Sequence, residues 1–210
     1  GTAAGIQCAR MNVKTIIAEP GPWLGGMLSA AGVSATDGNH KLASGIWNEF
    51  REAIYKVYGG ADKVATGWIS NTHFEPRVAD SIFKAMAAKE KNLSVLYHHQ
   101  FLSVLRKNNQ ILGAVFTNTV NGKKITVYAK QVIEATELGD VIAAVKIPFD
   151  LGMESGTATG EDAGVKETNS IIQDLTYVAI LKDYGKGADK IITKPVEYNP
   201  AEFDGACTDY

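Results

Sequence analysis

The stretch that decides the fold is GTAAGIQCARMNVKTIIAE, residues 1–19. Thr2 to Met11 reads as a helix rich in small residues: Ala3, Ala4, Gly5 and Ala9. Glycine weakens a helix interior by about 1 kcal/mol relative to alanine, so a glycine here needs a reason. Something must come very close, either a sheet beneath the helix or a ligand at its end. The next stretch, NVKTIIAE, reads as a short strand. Val13, Thr15, Ile16, Ile17 and Ala18 are apolar or β-branched on both faces, the pattern of a parallel strand covered on both sides. It ends on an acid, Glu19.

A helix, a buried strand and a terminal acid make up the second half of a dinucleotide-binding βαβ unit. In that unit the first strand ends in G-x-G-x-x-G and the last glycine opens the helix. An acid about 20 residues on binds the ribose hydroxyls. With Gly1 at the final glycine, Glu19 falls at the acid. The helix start then aims its free N–H groups and positive dipole end at a pyrophosphate. On this reading the first strand and two glycines of the motif lie ahead of Gly1. An ordinary α/β crossover, with small residues serving packing alone, is the plainer alternative for this stretch.

Working outward, EPGPWLGGMLSAAGVSATDGN (residues 19–39) breaks the helix pattern at Gly21, Gly25, Gly26, Gly32 and Gly38. The Gly25-Gly26 pair lets backbone N–H groups approach a phosphate or a flavin side chain without Cβ interference. Trp23, Leu24, Met27, Leu28 and Val33 are too apolar for a solvated loop. Residues 42–60 predict a helix with Ile46, Trp47, Phe50, Ile54 and Val57 on one face, ended by Gly59-Gly60. Residues 75–92 predict a second, with Pro76 in its first turn and a stripe of Val78, Ile82, Phe83 and Met86.

Strands follow. SVLYHH (94–99) reads as another strand of the parallel sheet. A three-stranded antiparallel meander comes next, with turns at Asn108-Asn109 and Asn121-Gly122. QVIEAT (131–136) returns to the parallel sheet. Gly139 then makes a turn at the strand's carboxyl end, opening onto a helix at a phosphate-facing edge. Residues 156–167 read as a loop, and NSIIQDLTYVAILKDYG (169–185) as a helix with Ile171, Leu175, Val178 and Leu181 on one side.

AEPGPWLGGMLSAAGVSATDG (18–38) resembles the segment that follows the ribose acid in the family of FAD-dependent oxidoreductases. GIWNEFREAIYKVYGG (45–60) and HFEPRVADSIFKAM (73–86) continue the likeness, which runs through nearly the whole chain and is strongest before residue 155. The family is related more distantly to the fumarate reductase and glutathione reductase flavoproteins, which carry two dinucleotide-binding domains. The resemblance implies an α/β fold. A Rossmann-like FAD-binding domain would occupy residues 1–155, with a parallel sheet, the meander and a helical insertion at about 40–90. Residues 156–210 would begin a substrate or cap region, with Gln173 facing it, and the chain would be incomplete at both ends.

The resemblance also implies FAD as cofactor and hydride or electron transfer between FAD and a small organic substrate. Gly1, Glu19, Pro20, Gly25, Gly26 and Met27 would surround the adenosine diphosphate. The backbone from Gln100 through Phe101 to Leu102 would meet the adenine. Ala135, Thr136, Gly139 and Asp140 match the family's D-A-T-G-D-G-D run and would bind the cofactor's second face, with Asp140 either capping the next helix or holding the ribityl chain. Glu134 replaces an acid with an acid. The chain departs from that run at Glu137 and Leu138, where a glycine and an acid are usual.

Composition narrows the classes. The net charge is −2, giving no broad electrostatic pull toward nucleic acid, and no apolar run is long enough to span a bilayer. The two cysteines, Cys8 and Cys207, read as unpaired thiols. The four histidines are scattered, only His98 and His99 being adjacent, and no metal-ligand spacing occurs. No catalytic acid or base stands out. Asp37, His40 and His73 are candidates only as titratable groups near the apolar glycine loop. Two other classes stay open: a nicotinamide-binding Rossmann dehydrogenase, which leaves the long loop and the meander without purpose, and a non-catalytic nucleotide-binding fragment. The compartment and the oligomeric state are not legible in these residues; a soluble protein of the bacterial cytoplasm or periplasm, with oligomerisation open, is the expectation.

Overall fold

A computed structural model describes residues 1–65, 70–162, 165–173, 175–176, 178–179 and 181–204. The small-residue stretch forms helix α1 (Thr2–Arg10), which packs on strand β1 (Thr15–Glu19). Gly5 sets the spacing. A Cβ on it would sit 2.5 Å from both Cγ1 and Cδ1 of Ile17. The early glycine therefore answers to the sheet beneath the helix. β1 pairs in parallel with β2 (Leu93–Tyr97), Thr15 opposite Leu93 and Glu19 opposite Tyr97. Ile17 is buried, but Ile16 is 44% exposed. The expectation of a strand covered on both faces is thus corrected: α1 covers the Ile17 face, and the Ile16 face is open.

Between β1 and β2 run helices α2 (Gly45–Tyr58) and α3 (Pro76–Ala88). α2 stops where predicted, because Gly59 takes the left-handed φ of +87° and its N–H caps the Tyr55 carbonyl. Phe50 stacks on Phe83 with ring centroids 4.7 Å apart and meets Phe74 edge-on at 5.3 Å. These rings join Ile6, Ile17, Leu24, Ile54 and Met86 in one hydrophobic cluster. The helices and the parallel sheet therefore share a core. Val57, assigned to the apolar face of α2, is 56% exposed, because the buried stripe ends at Ile54. Met27 is also out in solvent, at 65% exposure, whereas Leu24 is fully buried.

The meander forms as predicted. β3 (His99–Lys107), β4 (Gln110–Asn118) and β5 (Lys124–Tyr128) pair antiparallel in that order. Asn108 at φ +54° and Gly122 at φ +71° make the turns.

Three local expectations are corrected. Residues 131–136 form no strand; the parallel sheet among the described residues is β1–β2, and this segment has no ladder partner there. The glycine turn after it does open onto a helix, α4 (Asp140–Val145). Residues 156–159, read as loop, form a single helical turn, α5 (Gly156–Thr159), capped by the Ser155 hydroxyl. Lastly, the described part of residues 169–185 is not helical. Its intended stripe is exposed, Leu175 by 86% and Leu181 by 89%, and a short amphipathic helix needs a surface to bury against.

Residues 1–178 form one compact unit and residues 179–210 a second; in the second, Tyr198 stacks on Phe203 at 5.7 Å. No helix among the described residues is long and apolar enough to cross a membrane.

Candidate nucleotide-binding edge

Three backbone segments meet at the N-terminal end of α1. Gly1 is the N-cap residue, with no side-chain cap and no acid in the first turn. The first-turn N–H groups of a helix have no partner within the helix and need an acceptor from outside. Thr2 Oγ1 accepts the Gly25 N–H at 3.2 Å, drawing the glycine loop against this end. A Cβ on Gly1 would lie 3.4 Å from Cβ of Ala135, so the segment before α4 also reaches this end of the helix.

Glu19 closes the corner. Its Oε1 accepts the Gly21 N–H at 2.9 Å, fixing the turn that leaves β1. The Gly21 carbonyl then accepts the His98 N–H at 3.1 Å, and the Pro20 carbonyl accepts the Thr119 hydroxyl at 3.4 Å. The end of β1 is thereby tied to the base of the meander. His98 has a left-handed φ of +59° where the chain passes from β2 into β3. Gln100 and Phe101 follow in β3, opposite Thr117 and Phe116.

The two loop glycines differ. Gly25 has φ +114°, and a Cβ there would sit 2.6 Å from the Phe83 ring. Gly26 has φ +54° and open space where a Cβ would go. Gly25 is thus demanded by packing, while Gly26 presents bare backbone outward. Sequence reasoning missed the loop's anchor, Asp80. This buried acid accepts the Leu24 N–H at 2.8 Å through Oδ1, and its Oδ2 takes Lys84 Nζ at 2.8 Å. The signal was an acid set among Ala79, Ile82 and Phe83 on the apolar side of α3. Ser29 completes the loop by donating to the Leu24 carbonyl at 2.6 Å.

In the segment before α4 the organising group is Glu134. Its carboxylate accepts the N–H groups of Thr136, Val141 and Ile142, the Val141 bond at 2.6 Å. Burial pushes its carboxyl up, but these bonds, with the Thr136 hydroxyl, outweigh burial and hold it below the ordinary carboxylate value. Thr136 Oγ1 also accepts the Asp140 N–H at 2.8 Å. Gly139, at φ +70°, is the N-cap of α4, and Asp140 is its first helical residue. The capping role considered for Asp140 therefore belongs to Glu134.

The titratable candidates do not converge. Asp37 and His40 line a cavity of about 80 Å³ with Thr36, Trp47 and Asn71. His73 lines a separate groove of about 570 Å³ with Tyr58, Val64 and Phe74. Among the described residues no group of three or more His, Cys, Asp or Glu could hold a metal ion. Cys8 is a free thiol, and Cys207 lies outside the described residues.

The edge suits a dinucleotide diphosphate: an uncapped helix start without acids, an outward glycine backbone and a strand-end carboxylate. Among solved structures, the chain resembles the FAD-complexed glycerol-3-phosphate dehydrogenase from Bacillus halodurans. That likeness has 15% identity and a TM-score of 0.37, and covers 62% of this chain and 30% of that one. No curated protein matches the chain. The family model for FAD dependent oxidoreductase matches residues 1–209, and the chain belongs to that family.

Proposed function

We propose that this chain forms the FAD-binding part of an oxidoreductase that moves a hydride or electrons between FAD and a small organic substrate. FAD is the family's cofactor and supplies the redox chemistry when bound. The observation that carries the reading is the meeting of the α1 start, the glycine loop and Ala135 at one edge. There, Gly1 and the first turn of α1 receive the diphosphate. Gly26 lets it approach, with Gly25 and Met27 flanking. Glu19, whose Oε1 accepts the Gly21 N–H, would hold the ribose through its other carboxylate oxygen, beside Pro20. Gln100 and Phe101 border the adenine. Ala135, Thr136, Gly139 and Asp140 form the second face, held in shape by Glu134. Residues 1–155 make up this domain, and residues 156–210 begin the substrate side.

The test is the visible absorption spectrum of the purified full-length protein. Two flavin bands, released as FAD on denaturation, are expected. A colourless protein that fails to take up added FAD overturns the reading.

A further inference from the structure

Lys84 stands where two arms of the nucleotide edge meet α3. Asp80 and Lys84 are four residues apart, so one helix face carries both, and Asp80 Oδ2 takes Lys84 Nζ at 2.8 Å. Between exposed groups such a pair contributes little. Here the Asp80 side chain is only 10% accessible. A buried carboxylate without a counter-charge is costly, and among the described residues Lys84 is the cation paired with it. The other oxygen of Asp80 accepts the Leu24 N–H at 2.8 Å, and Gly25 and Gly26 follow directly. The ammonium therefore balances the charge that pins the glycine loop.

The same ammonium reaches the other arm. Lys84 Nζ lies 5.3 Å from the centre of the Tyr97 ring, a cation–π distance. Tyr97 ends β2 directly opposite Glu19 at the end of β1. Burial pushes the Tyr97 hydroxyl above its ordinary value; Lys84 pulls it back, and Asp80 and Glu19 push it further. The four groups thus share one electrostatic neighbourhood. The next N–H along the chain, that of His98, donates to the Gly21 carbonyl at 3.1 Å, in the turn that Glu19 fixes.

We propose that Lys84 is a positioning residue of the nucleotide edge. Acting through Asp80 on the glycine loop and through the Tyr97 ring on the Glu19 corner, it holds the diphosphate arm and the ribose arm at one spacing. It needs no contact of its own with phosphate or ribose. Those two ligand groups belong to the flavin reading above, on which this proposal rests; the coupling of the arms rests on the distances alone. A second ion pair of the same region, Arg77 with Glu75 at 2.9 Å, is more than half exposed on both sides and serves as the control.

The test reads both arms without flavin first, by amide hydrogen exchange of the full-length apoprotein. Lys84→Met keeps the stem and removes the charge. It should lower protection about tenfold at Leu24, the scale of a hydrogen bond to a charged group. At His98 the loss should be about fivefold, the scale of a cation–π contact. Lys84→Arg should restore both. Adding Asp80→Asn to Lys84→Met should restore Leu24 alone, because an amide oxygen accepts the same N–H with no charge to balance. Arg77→Met should alter neither. FAD titration follows: affinity should fall about tenfold in Lys84→Met and return to near wild type in Lys84→Arg. A wild type that takes up no FAD fails the flavin reading, and the exchange data still judge the coupling. Unchanged protection in Lys84→Met, loss at Leu24 without loss at His98, or unchanged FAD affinity where the wild type binds it overturns the proposal.

Discussion

At Gly25 and Gly26 two adjacent glycines of identical composition carry different duties. Gly25→Ala drives a methyl group to within 2.6 Å of the Phe83 ring from a φ of +114°. Strain and overpacking together should cost about 2–4 kcal/mol of stability. Gly26→Ala meets no atom within 4 Å and carries only the left-handed penalty at φ +54°, about 1 kcal/mol. On the proposed placement of the diphosphate its methyl group would stand in the cofactor's approach, so FAD affinity should fall about tenfold, or about 1.4 kcal/mol. Chemical denaturation and flavin titration of both variants check the contrast; wild-type FAD affinity in Gly26→Ala would reduce the pair to turn geometry and packing. The doublet was legible in the sequence as a need for bare backbone. Its division of labour was not, because Phe83 arrives from α3, and no local pattern reveals which glycine it meets. Gly5 was easier to read, since a helix directly followed by its own strand announces the close contact.

The elements repeat this lesson. The meander was legible because its turns are chemical: asparagine and glycine accept left-handed backbone, and the flanking runs alternate. The apolar stripe of residues 169–185 was misleading, because periodicity reports a face to be buried and not the surface that buries it. α4 shows how a short helix is held by something other than its cap residue. Glu134 gathers three N–H groups at or before its first turn. Its folded pKa is depressed, so its stabilisation is present above the unfolded value, about 4.3, and is lost as pH falls through the folded pKa below that. Glu134→Gln should therefore be less stable than wild type at neutral pH, with the gap closing in acid below about pH 4.3. Denaturant titrations of both proteins over that range check it; a gap that widens in acid would contradict the assignment. Arg10 does related work between elements. It grips both oxygens of Glu49 on α2 at 2.7 Å and reaches Glu90, beyond α3, at 2.9 Å. Hydrogen bonding to Arg10 keeps the Glu49 carboxyl below its usual value against the opposing push of burial. Glu49 is 45% exposed, which screens the pair. Arg10→Ala should cost only about 1 kcal/mol, and the cost measured by denaturation should shrink as salt is added.

Over the whole molecule, the central question is whether the helical insertion is a separate body or part of the nucleotide-binding half. Its chain position suggests an addition, entering after β1 and leaving before β2. Its packing argues the reverse. Ile6 of α1 and Ile17 of β1 belong to the same cluster as Phe50, Ile54, Phe83 and Met86 of the insertion, and Leu24 of the glycine loop sits in it fully buried. Asp80 adds a polar tie from α3 to that loop. The loop that presents Gly26 is thus shaped by the insertion, and damage to the insertion core should reach the nucleotide edge. Phe83→Ala removes a ring that stacks on Phe50 and fills the space above Gly25, at a cost of about 3–5 kcal/mol. Native-state hydrogen exchange then separates the two views. If the core is shared, amides of α1 and β1 should lose protection together with those of α2 and α3, by matching free energies. If protection falls in α2 and α3 while α1 and β1 keep theirs, the insertion folds apart from the edge, and the glycine loop owes its shape to the β1 corner alone.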